Sequence, residues 1–175
     1  GSEGYKGQLA VKGDPVAAML RLPTRQSDGK ANLHQGAIGV GVDIATGVTL
    51  SGTWHNLKID RHPDTAHPVA GVQIPDWEAC LELAARCYDL TGLGYLGVDL
   101  VMDKHKGPLM LELNARPGLN IQIAIDDGLL RRCQVVEGEL ETLGELADAE
   151  PVARRVMFSK KHFAAATLPE QPSAP

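Results

Sequence analysis

Long apolar runs, disulfide chemistry and an excess of positive charge are all missing from this sequence. No apolar stretch approaches the roughly 20 residues needed to cross a bilayer as a helix, so no membrane span and no membrane partner is expected. Three cysteines, Cys80, Cys87 and Cys133, are odd in number and show no C-x-x-C spacing. That fits neither a disulfide framework nor a common zinc module, and a reducing cytoplasm is the simpler setting. Cys80 and Cys87 lie seven apart within a helical pattern, which puts them on one face as packing residues rather than nucleophiles. The net charge of -5 argues against a nucleic-acid partner held by phosphate neutralisation, and a small anionic substrate would need local cations. No methionine and no apolar leader precede Gly1-Ser2, so residues 1–4 are read as a tag or linker remnant and the chain as a piece of something longer.

What is present suits one globular domain: 175 residues, 43% hydrophobic and 22% charged, are enough to bury a core without staples. Residues 8–11 and 16–22 are apolar-rich runs around Gly13, Asp14 and Pro15, a turn chemistry that predicts a hairpin. A polar Ser27-Asp28-Gly29 loop leads to Lys30, and residues 37–44 and 48–53 form a second strand pair joined at Ala45-Thr46-Gly47. Residues 56–73, with His62-Pro63 and His67-Pro68, have no period and read as a loop. His62 and His67 are five apart, but their prolines fit an extended surface better than a metal site.

Asp76 is placed as an N-cap, and Trp77, Cys80, Leu81, Ala84, Cys87 and Tyr88 recur at helical spacing up to Gly92. Residues 95–102 and 108–114 predict a further hairpin across Asp103-Lys104-His105-Lys106-Gly107. A helix weakened by Gly128 is expected over 121–133, and Leu140, Leu143 and Leu146 mark another. Residues 5–163 thus form the folded unit, of α+β class with an antiparallel sheet and packed helices, and residues 164–175 a disordered tail too poor in apolar area to offset chain entropy.

The second of these hairpins concentrates the chemistry. Side chains alternate along a strand, so Glu112 and Asn114 share one face while Leu111 and Leu113 are expected to point to the core. A turn centred between His105 and Lys106 sets Asp99 opposite Glu112, where same-face Cβ atoms approach to roughly 4.5–5.5 Å. Facing carboxylates repel, and a divalent cation relieves the repulsion. Two carboxylates and an amide oxygen suit magnesium. Spacing alone supports this reading and a solvated polar edge equally. Gly36, Gly39 and Gly41 lack the Gly-Lys-Ser/Thr ending of a phosphate loop and read as close strand packing or a flexible loop.

The segment Gly97-Val98-Asp99-Leu100, followed by Gly107-Pro108-Leu109-Met110-Leu111-Glu112-Leu113-Asn114-Ala115-Arg116-Pro117-Gly118, resembles the metal-binding end of RimK-type glutamate ligases of the ATP-grasp superfamily. Ala17-Ala18-Met19-Leu20-Arg21 and Asn32-Leu33-His34-Gln35-Gly36 resemble that family's strand and its Asn-Leu-His-x-Gly segment, and the likeness runs intermittently from Val16 to Leu119. The resemblance implies the C-terminal subdomain of an ATP-grasp fold. It implies two Mg2+ ions, replaceable by Mn2+, held by Asp99, Glu112 and Asn114, and ATP contacts at Arg21, Lys30, Ala31 and Asn32. It further implies an amino acid such as glutamate and a peptide or protein acceptor as substrates, joined through an acyl phosphate. The N-terminal half of such an enzyme, with its phosphate-binding lysine, has no counterpart here, so the isolated chain is expected to be inactive.

Two departures stand out. Arg116 replaces the family's Ser before Pro-Gly, where it would clamp a carboxylate or phosphate as a catalytic group or else cap the loop at the surface. The family's arginine on the preceding strand has no equivalent near Gln8. The competing readings are a retired nucleotide- or metal-binding module, and an interaction domain whose acidic residues are splayed apart or salt-bridged to internal lysines.

Overall fold

The computed structural model describes residues 5–118 and 120–170, so the expected remnant at residues 1–4 and the end of the expected tail, residues 171–175, lie outside the described residues. The described residues form one seven-stranded antiparallel sheet with four α-helices, an α+β arrangement. In chain order the strands are β1 (Tyr5–Val11), β2 (Asp14–Leu22), β3 (Ile38–Val42), β4 (Thr49–Trp54), β5 (Leu57–Ile59), β6 (Tyr95–Asp103) and β7 (Gly107–Asn114). The helices are α1 (Trp77–Thr91), α2 (Asn120–Ile125), α3 (Leu129–Leu143) and α4 (Val152–His162). The spatial order β5-β4-β3-β2-β1-β6-β7 brings β6, far along the chain, beside β1.

Alternation assigns the two faces of the sheet. Leu96, Val98 and Leu100 of β6 are buried on one face, where α1 packs and the Cys80 thiol lies 3.9 Å from the Met102 sulfur. Cys80 and Cys87 are both buried, as packing residues should be. The opposite face carries Met19, Arg21, Gly39, Gly41, Gly97 and Asp99, two residues apart along each strand. There α2 lies directly on Gly41, where any side chain would collide with the Ala124 carbonyl. Gly39 and Gly41 therefore serve close packing.

Two buried arginines fasten the C-terminal helices. Arg132 of α3 donates to the Val16 carbonyl at 2.6 Å and to Asp127 at 2.8 Å, with its guanidinium 5.4 Å from the centre of the Phe163 ring. Arg155 of α4 reaches the Ala85 carbonyl at 3.0 Å and Asp89 at 2.7 Å on α1.

Several local expectations change. The first turn is Lys12-Gly13, both with positive φ (50° and 90°), so Asp14 and Pro15 already belong to β2. Asp76 occupies the N-cap position of α1 in a left-handed conformation, and its side chain makes no capping bond. The helix foreseen over 121–133 is broken at 126–128, where Asp126 has φ 53°, and Gly128 precedes α3 in an extended conformation. Leu140 and Leu143 finish α3, and Leu146 falls in the 3-10 turn Gly144–Ala149. Strand β5 and helix α4 are additions: α4 is heavily charged, and its buried side is limited to Arg155, Val156 and Ser159. Residues 164–170 form neither helix nor strand, yet the Ala165 amide donates to Asp43 at 2.7 Å, so order reaches past the predicted start of the tail.

Candidate functional site

The connection between β2 and β3 is built before anything can bind beside it. Thr24 and Ser27 exchange side-chain to backbone hydrogen bonds of 2.9–3.2 Å, closing a compact buried turn. The Thr24 hydroxyl also donates to the Gly36 carbonyl at 2.8 Å, which receives the Trp54 indole N–H at 3.0 Å. Gly36 sits at φ 98°, a conformation that favours glycine. Between these anchors the 3-10 turn Leu33–Gln35 is capped by Asn32, whose side-chain oxygen accepts the His34 amide at 3.0 Å. The Leu33 side chain is thereby laid over Gly39, with room because residue 39 has no Cβ.

The β6–β7 hairpin reaches the predicted pairing by a different route. Its loop closes Asp103 against Gly107, the Asp103 carboxylate accepting the His105 and Lys106 amides at 2.9 Å each. Continued regularly, that register would set Asp99 opposite Leu111 and turn Glu112 toward the α1 face. A bulge intervenes: Leu100 pairs Met110, but Asp99 pairs Glu112, leaving Leu111 as the extra residue of β7. Leu111 is accordingly 58% exposed rather than in the core, whereas Leu113 packs on the core as expected. Asn114 pairs Gly97 and so shares the face of Asp99.

Arg21, Asn32, Asp99 and Asn114 line one cavity of about 190 Å³, floored by Met19 and Gly97 and walled by Leu33, Pro117 and the start of α2. A neighbouring cavity of about 380 Å³ shares Met19, Leu33, His34 and Asn120 with it. Within the first cavity the Arg21 guanidinium lies 2.7 Å from Asp99. The contact joins β2 and β6 across the intervening β1, in which Gly7 is the backbone neighbour of both Met19 and Asp99. Arg21 Nε is buried without a hydrogen-bond partner among the described residues. The Asn114 side-chain oxygen accepts the Arg116 amide at 2.9 Å, holding the loop after β7 in an Asx turn.

The structure therefore gathers four of the predicted residues and sets a fifth, Glu112, opposite Asp99 by register, exposed and outside the cavity lining. Lys30 and Arg116 are exposed and Ala31 is half-buried, all outside this cavity, and the Lys30 amide is spent on Ser27. His62 uses both ring nitrogens, on the Pro23 carbonyl at 3.0 Å and the Asp64 amide at 3.2 Å. Gly97 escaped sequence reasoning, although period-two alternation from Asp99 marks it: a Cβ there would stand 2.7 Å from Pro117. Asn120 escaped it because nothing in sequence brings α2 over β2.

Among the described residues no cluster of three or more His, Cys, Asp or Glu side chains is assembled as a metal site. A cation here would have Asp99, Glu112 and the Asn114 oxygen, with phosphate and water oxygens completing its shell. That incomplete hard-oxygen set fits magnesium rather than zinc.

Residues 9–138 match the family described as sugar-transfer associated ATP-grasp. Two proteins named probable alpha-L-glutamate ligase, from Xanthomonas oryzae pv. oryzae strains MAFF 311018 and KACC10331 / KXO85, are each 30% identical over 118 residues. The match covers 67% of this chain and 29% of theirs, so the chain spans under a third of the length of these relatives. Since that family match spans well over half of the sequence, the chain belongs to the sugar-transfer associated ATP-grasp family and is similar to alpha-L-glutamate ligases.

Proposed function

We propose that this chain is one wall of the nucleotide site of a carboxylate–amine ligase, in which ATP phosphorylates a carboxylate and an amine displaces phosphate to leave an amide. The observation that carries the reading is the placement of Asp99 opposite Glu112, with Asn114 on the same face, beside a cavity that also holds Arg21 and Asn32. Asp99, Glu112 and Asn114 would hold two Mg2+ ions, or Mn2+ in their place. Bound metal supplies charge neutralisation on the phosphates during transfer. Arg21 and Asn32 contact ATP, and Lys30, Ala31 and Arg116 act from the rim, Arg116 on a carboxylate or phosphate.

Likeness to alpha-L-glutamate ligases supports glutamate or a related amino acid as the amine and a peptide or protein carboxylate as acceptor, in the cytoplasm. No helix among the described residues is long and apolar enough to cross a membrane. Because the chain spans 29% of the relatives' length, a further segment of the ligase closes the cleft, and the 175-residue chain alone does not turn over. The Arg21–Asp99 ion pair, with Glu112 outside the cavity lining, stands on the side of an interaction domain. Glutamate- and acceptor-dependent ADP release by the longer ligase, lowered at least about tenfold by Glu112→Gln with the melting temperature held, supports catalysis. Unchanged ADP release in that variant rejects the metal role of Glu112.

A further inference from the structure

The Arg21–Asp99 contact poses a physical question if Asp99 is a metal ligand, the reading on which this inference rests. A carboxylate that meets a cation only when nucleotide is present must have a partner at other times, because an unpaired, partly buried charge is costly. Arg21 is placed to be that partner. It reaches Asp99 at 2.7 Å from two strands away, with β1 between them.

The pairing is incomplete. Arg21 Nε is buried and has no hydrogen-bond partner among the described residues, so this position leaves a donor unsatisfied. Both side chains remain partly exposed, at 24% and 32%, so the ion pair is weak enough to exchange. The same guanidinium lines the cavity with Asn32 and Asn114, and a planar fork is the side chain best suited to take phosphate oxygens.

We propose that Arg21 is a positioning residue that neutralises Asp99 while no divalent cation is bound and releases it when phosphate oxygens in the cavity draw the guanidinium away. Metal and polyphosphate then bind with positive coupling through one side chain, and cation occupancy without nucleotide is suppressed. By reciprocity, the factor by which polyphosphate favours the metal equals that by which the metal favours polyphosphate.

The test is a titration of the 175-residue chain with Mn2+ alone, read from free Mn2+ by electron paramagnetic resonance, and separately with inorganic tripolyphosphate alone, read by calorimetry. Arg21→Gln is expected to bind Mn2+ alone about two- to fivefold more tightly than wild type, the range of a half-exposed ion pair, and tripolyphosphate more weakly. A purely structural arginine would not strengthen one ligand while weakening the other. Unchanged or weakened Mn2+ binding in Arg21→Gln overturns the proposal. Asp99→Asn separates the two failures: lost Mn2+ binding there, with Arg21→Gln like wild type, removes the hand-over and keeps the metal site, whereas wild-type Mn2+ binding in Asp99→Asn removes both. Should Arg21→Gln fail to fold, the Arg21 15Nε resonance of the wild-type chain decides. A shift on adding tripolyphosphate supports release, and an unmoved resonance at saturation overturns it.

Discussion

Asp14 opens β2 almost fully enclosed, at 6% exposure, and burial pushes its carboxyl up to about 7 against the opposing pull of Arg155, with Glu139 and Glu150 adding to the rise. An unfolded aspartate releases its proton near pH 4. Between about pH 4 and 7 the native state thus keeps a proton that the unfolded state has lost, and stability falls as pH rises through that window. Asp14→Asn removes the penalty. The variant should be more stable than wild type at pH 8, by up to about 4 kcal/mol of unfolding free energy, and alike at pH 4; lower stability at pH 8 would contradict the burial argument. Glycines give a second residue-level test. Gly41→Ala drives a methyl into the Ala124 carbonyl and should cost about 1–3 kcal/mol in urea unfolding as overpacking. Gly138, inside α3 with nothing within 4 Å, should gain up to about 1 kcal/mol as alanine.

At the scale of elements, the β7 bulge decides which face receives Glu112. Deleting Leu111 leaves Met110 opposite Leu100 and brings Glu112 next in order opposite Asp99, so the shortened hairpin keeps its acidic pair. Mn2+ affinity within about threefold of wild type is the expected result in a titration, and its loss would mean that the bulge itself shapes the site. Alternation and turn chemistry made the three long hairpins legible, because a turn such as Asp103 to Gly107 is written in adjacent residues, although the first turn fell at Lys12-Gly13 rather than at Gly13-Asp14-Pro15. A bulge is not written so: Leu111 and Leu113 look alike in sequence, and only the pairing of β6 with β7 separates them. Helix α4 was illegible for a related reason. Its buried side includes Arg155, a residue that burial propensity assigns to solvent until its carbonyl and carboxylate partners on α1 are known. Phe163, 1% exposed beneath Arg132, anchors the chain after α4, and Phe163→Ala should lower stability by about 3–5 kcal/mol in chemical denaturation.

At the scale of the whole molecule, one sheet face is spent on the core under α1 and the other is left partly open, with glycines at 39, 41 and 97 lowering the floor where α2 and the loop after β7 approach. Asp99 and Asn114 line the cavity there while Glu112 stands opposite Asp99 across the β6–β7 hairpin, and although the bulge that sets it was hidden, the pairing of the two carboxylates was readable from the hairpin. The Arg21 contact was not, since it requires β1 between β2 and β6. The central claim, that these three side chains form a divalent-cation site working with nucleotide phosphates, is tested most directly by Mn2+ titration of the chain in the presence of ADP. Asp99→Asn and Glu112→Gln should each weaken Mn2+ binding by about tenfold or more while their melting temperatures stay within about 3 °C of wild type. Wild-type Mn2+ affinity in both variants, or loss of folding in Glu112→Gln, would contradict it.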